Sequence, residues 1–119
     1  MAFDEGLAYR IRELVQTRRA ITERRMFGGL AFMSHGHMFV GVIGNTLMAR
    51  VGPAEYAGAL ARRHVREMDF SGKPMKGYVY VDASGLEEEP DLKQWVDACL
   101  RHVNTLPPKP VDIRKSPLR

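Results

Sequence analysis

Cysteine is nearly missing from the chain: Cys99 stands alone, which excludes an intrachain disulfide and with it a zinc site made of four cysteines. Long apolar runs are missing as well. The longest span a few residues, far short of the ~20 needed to cross a bilayer, and Asp4 and Glu5 stand where a signal peptide would carry a basic, then apolar, stretch. A cytoplasmic protein without a membrane partner is therefore expected. Neither GxGxxG nor GxxxxGK[ST] occurs, so no conventional dinucleotide or phosphate loop is present.

What the chain does have is size and apolar content for one domain: 119 residues, 45% of them hydrophobic. Eleven glycines and seven prolines punctuate apolar segments and form no biased tract, so most of the chain should be ordered. The formal charge of +4 is uneven. From Pro107 onward, Lys109, Arg114, Lys115 and Arg119 oppose only Asp112, so this tail carries +3 and everything before it +1. Residues 1–106 are expected to form the domain and 107–119 a basic, flexible tail.

Periodicity divides the domain. Phe3, Leu7, Ile11, Leu14 and Val15 recur every three or four residues, predicting a helix from about Asp4 to Arg19. From Thr22 to Val51 short apolar runs alternate with turn residues, with Gly44-Asn45 a two-residue hairpin signal, and three antiparallel strands are expected. Pro53 opens a short helix ending near Arg63. Val65–Phe70 and Gly77–Ala83 read as strands, joined by the loop Ser71-Gly72-Lys73-Pro74. The acidic run Glu87-Glu88-Glu89, with Pro90 and Asp91, marks the start of a helix that places Leu92, Trp95, Val96, Cys99, Leu100 and Val103 on one side and stops before Leu106-Pro107-Pro108. The order is α-β-β-β-α-β-β-α: an α+β fold, an antiparallel sheet with helices mainly on one face.

RMFGGLAFM, the hairpin HMFVGVIGNTLMARVG, and MDFSGKPMKGYVYVD followed by LKQWVDACL resemble the TfoX N-terminal domain family, the domain that opens the TfoX/Sxy regulators of bacterial competence. The resemblance spans roughly Glu5 to Pro107. It implies a small α+β domain of the secretion-chaperone-like group, found inside competence regulators ahead of a second helical domain and also alone. The stand-alone form is the one expected here, with no catalytic residues to carry over.

Several residue groups are candidates for chemistry. Gly28-Gly29 behind Arg24-Arg25 could cradle a phosphate, but a strand follows the pair and not a helix, so a bulge or a close contact with the first helix is the better reading. Lys73 and Lys76 lie on a glycine-bounded loop that could meet an acidic partner, although Pro74 removes a donor amide. His35-Gly36-His37 sits at a hairpin tip without a third metal ligand placed by spacing, so no metal is expected. Cys99 and His102 could pair only against the helix dipole, and Cys99 reads as a core thiol. Arginine doublets at 18–19, 24–25 and 62–63, with Arg66, would make a nucleic-acid footprint only if they met on one face. Met26, Met33, Met38, Met48, Met68 and Met75 read as core filler unless they share an exposed sheet face, where they would make an adaptable binding surface.

The expected function is that of a non-enzymatic regulatory or protein-interaction domain without a cofactor, binding a protein partner or itself, in the latter case as a homodimer, through a sheet face or the Lys73–Lys76 loop, with Arg24 and Arg25 as further binding candidates. The alternatives are a DNA-associated, competence-type regulator and a small-ligand domain, the last requiring a cleft that joins His64, Asp82 and Lys73.

Overall fold

The computed structural model describes residues 3–107 apart from 19, 27, 70, 71, 73 and 74. The first helix, α1 (Glu5–Val15), starts where Asp4 caps it: the carboxylate accepts from the amides of Gly6 at 2.8 Å and Leu7 at 3.1 Å. Its stripe of Leu7, Ala8, Ile11 and Val15 is buried. The helix stops short of the expected Arg19, because Gln16, Thr17 and Arg18 are exposed and offer no further apolar face.

Four strands follow: β1 (Ile21–Met26), β2 (Gly29–Ser34), β3 (His37–Ile43) and β4 (Thr46–Arg50). The short helix α2 (Tyr56–Leu60) leads to β5 (Val65–Glu67) and β6 (Tyr78–Val81), and α3 (Glu89–Val103) closes the domain. The strands form one antiparallel sheet in the order β1-β2-β3-β4-β6-β5. The α+β class and the alternation of helices with groups of strands are those expected from the sequence. The first group holds four strands where three were expected, because the glycine pair does not thin one strand. Gly28 takes φ +77 between β1 and β2, and Gly29 pairs with Met26. A Cβ at Gly28 would meet nothing within 4 Å, so its role is conformational, a turn, and neither a bulge nor a close approach to α1. Pro53 lies in the turn before α2 and does not open it.

The register sorts the side chains onto two faces. One carries Leu30, Phe32, Val40, Val42, Leu47, Ala49, Val79 and Val81 and packs beneath α1 and α3 in a single core with Ile11, Leu92, Trp95, Val96, Cys99 and Leu100. A register shift beyond Phe32 pairs Met33 with Met38 and leaves Phe39 as an extra residue, so Phe39 and Val40, adjacent in sequence, both enter this core. Across the other face one cross-strand row reads Arg24, Ala31, Gly41, Met48, Tyr80, Arg66. Ala31, Met48 and Met68 are buried but stand outside the helix-side core. They belong to a second apolar layer.

Polar ties fix the helices to the sheet. Arg12 grips Glu23 of β1 through two hydrogen bonds, at 2.6 and 2.8 Å. Arg10 donates to the Leu86 carbonyl at 2.7 Å and pairs with Glu89 at 3.2 Å, joining α1 to the start of α3. At the other end of α3, Ser34 Oγ donates to Asn104 Oδ1 at 3.0 Å.

Candidate functional site: a methionine-lined groove

Methionines 26, 33, 38, 48, 68 and 75, spread over fifty residues of sequence, converge on one groove of about 780 Å³ on the sheet face away from the helices. Strand alternation explains the convergence. Met26 on β1, Met33 on β2 and Met48 on β4 occupy positions of the same face, and the bulge turns Met38 of β3 to join them. Met68 and Met75 arrive from the segment between β5 and β6, which is held to itself by the Met75 amide donating to the Met68 carbonyl at 2.8 Å. The row beneath, Ala31 beside Gly41 and Met48, is buried. Met48 is 1% exposed and Met26 41%: the groove has a packed floor and an open lip.

The polar members of the lining are cations or a histidine: Arg24, Arg50 and His37. Arg50 reaches over the Tyr78 ring at 5.6 Å and donates to the Met38 carbonyl at 3.4 Å, so its guanidinium lies along the groove wall. Arg24 has no ion-pair or hydrogen-bond partner among the described residues. No carboxylate is part of the described lining. Farther along the same face, Arg66 stacks on Tyr80 at 4.9 Å but is neutralised by Asp82 at 2.9 Å.

The other sequence candidates are scattered by the fold. Arg24 and Arg25 point to opposite sheet faces, Arg24 into the groove and Arg25 over the Phe3 ring at 5.5 Å. Gly28 lies in the β1–β2 turn and Gly29 opens β2. Lys73 lies outside the described residues, as does the tail beyond Pro107; Lys76 is exposed in the turn before β6. That turn is pinned at Gly77, whose carbonyl accepts from the amides of Val51 at 2.9 Å and Gly52 at 3.0 Å. His35 and Gly36 make the β2–β3 turn with φ 51 and 84, and His37 Nε2 lies 2.8 Å from the Pro107 carbonyl. Among the described residues no three groups of metal-ligating type come together. Arg62 stacks on Trp95 at 4.0 Å, and Arg18 approaches Asp97 at 4.0 Å, so each is engaged on α3. The Asp82 carboxylate is held by Arg66, and the Asp82 amide donates to the His64 carbonyl at 2.8 Å.

A second, smaller cleft of about 560 Å³ lies between α2 and α3, lined by Arg62, Trp95, Arg101, His102 and Glu55 among others. Its histidine is pushed below the usual imidazole range by burial and by the nearby Arg50 charge. Cys99 is sealed in the core, where burial pushes the thiol up to about 12. A thiolate pair with His102 is therefore not formed at neutral pH.

An antiparallel sheet with helices packed on one face and an apolar, arginine-edged groove on the other defines an α+β domain. The family model of the TfoX N-terminal domain matches residues 13–103, from within α1 to the last residue of α3, and the chain belongs to that family. Neither the curated proteins nor the solved structures compared with it include a match. No described helix is long and apolar enough to cross a membrane.

Proposed function

We propose that this TfoX N-terminal domain is a non-enzymatic interaction module whose docking surface is the methionine-lined groove. The observation that carries the reading is the convergence of six methionines, from four strands and the β5–β6 segment, on one face. A single exposed methionine needs no explanation, whereas a contiguous apolar concavity on a domain surface is a feature of binding sites. Methionine suits that use because its unbranched, polarisable side chain repacks around differently shaped partners. The nucleic-acid alternative draws less support from the described residues, since their arginines are divided between two sheet faces and three of them, Arg12, Arg18 and Arg66, are paired with Glu23, Asp97 and Asp82.

The test places a photo-reactive amino acid at Met38 in the groove and, separately, at Tyr9, which is 59% exposed on α1. In cells that express the chain, a discrete cross-linked product is expected from position 38 and not from position 9. Adding Met33→Glu should abolish it, because a carboxylate in the lining imposes a desolvation cost on any apolar partner. Equal products from both positions, or none from position 38, would reject the groove as the docking surface.

A further inference from the structure

We infer that the groove's occupant is an amphipathic helical segment of a second protein, apolar along one stripe and acidic near both ends of it. This rests on the groove being a docking surface and names the chemistry of the partner.

The helical form follows from backbone accounting. The groove lies on the face of a sheet whose inner strands β2, β3, β4 and β6 are paired on both sides, so their amides and carbonyls are spent in the ladders. An extended segment laid there would lose water from its own N–H and C=O groups with nothing to replace it. A helix satisfies those groups internally and presents only side chains, which is how helix-in-groove recognition works. The lining runs from Met26 on β1 to Tyr78 on β6, four strand spacings across and four residues along the sheet, or roughly 23 Å. At ~1.5 Å per residue this is matched by about 15 residues of helix.

Charge selects which helix. The lining carries Arg24 at the β1 end and Arg50 on β4, with His37 nearby and no described carboxylate. Arg24 and Arg50 stand three strands across and two residues along the sheet from one another, roughly 16 Å. Carboxylates about eleven residues apart on one helix would therefore meet both guanidiniums. A second copy of this chain fits poorly in a symmetric pairing of the two grooves, because each arginine-edged lining would face another of the same sign.

The test uses the full chain with 13C-labelled methionine methyls and two fluorescein-labelled peptides of 14 residues. Both carry leucines at positions 2, 5, 9 and 12; one has glutamates at both ends of that stripe and the other has lysines there. The acidic peptide is expected to shift the groove methionine signals and to bind at least tenfold more tightly than the basic one. The double variant Arg24→Glu/Arg50→Glu, with its fold checked by circular dichroism, should reverse that preference. Methionine shifts with equal affinity for both peptides would overturn the acidic occupant and leave the docking surface intact. Equally tight binding by an acidic peptide with a central proline would overturn the helix. Binding by neither peptide overturns the inference as a whole, while the cross-links from position 38 decide the docking surface separately.

Discussion

Gly52 and His102 show how closely single residues are fitted. Gly52 holds φ +90 just after β4, and a Cβ there would lie 2.6 Å from the His102 ring. Gly52→Ala is expected to cost about 2 kcal/mol or more in thermal or urea unfolding, since the left-handed backbone and the clash add. The same histidine sets a pH dependence. Its folded pKa lies below the unfolded 6.5, so the unfolded chain binds the proton first as pH falls and folded stability is lost through that range. The melting temperature should drop as pH falls through about 6.5, and His102→Gln should flatten that part of the profile. Glu23, which its hydrogen bond to Arg12 holds below the usual carboxylate range, also loses its contribution on acidification, but only below about pH 4.5. Cys99, buried and with its thiol pushed up to about 12, should resist a thiol-specific reagent until the chain unfolds. Modification of the native protein within minutes would contradict that burial.

Among the elements, those with local turn or cap chemistry were legible before the fold was known. Gly44, at φ 57, and Asn45 join β3 to β4 as the hairpin signal required, and the apolar side of α3 is the one its periodicity marks. β1 was the element that pattern reading merged with its neighbour. Its residues Thr22 to Met26 are all exposed, so it lacks the apolar alternation that signals a half-buried strand. RRMFGGLAF runs apolar on both sides of its glycines, which hid the turn that the positive φ of Gly28 makes. As an edge strand held mainly by its β2 ladder and the Arg12–Glu23 bridge, β1 should open first. In native-state hydrogen exchange its amides are expected to exchange well ahead of those in β3 and β4, whose core side chains are buried. Glu23→Gln should widen the gap while costing global stability less than about 1 kcal/mol, because the pair is partly exposed.

At the scale of the whole molecule, the groove was legible as an inventory and not as a site. The sequence showed six methionines after Met1 and left open whether they filled the core, because their assignment depends on non-local facts. One is the bulge that turns Met38 to the far face, and another is the return of Met68 and Met75 across the sheet. Arg24 became a groove residue for the same reason, and Arg25, its neighbour, did not. Hydroxyl-radical footprinting read by mass spectrometry tests the docking surface most directly, with the chain probed alone and in extract from its own cells. Protection in extract is expected at the lip and walls together, Met26, Met33, Met38 and Met75, with Tyr9 on α1 unchanged. Protection at Tyr9 with all four methionines as reactive as in the isolated chain would place the interaction elsewhere and contradict the assignment.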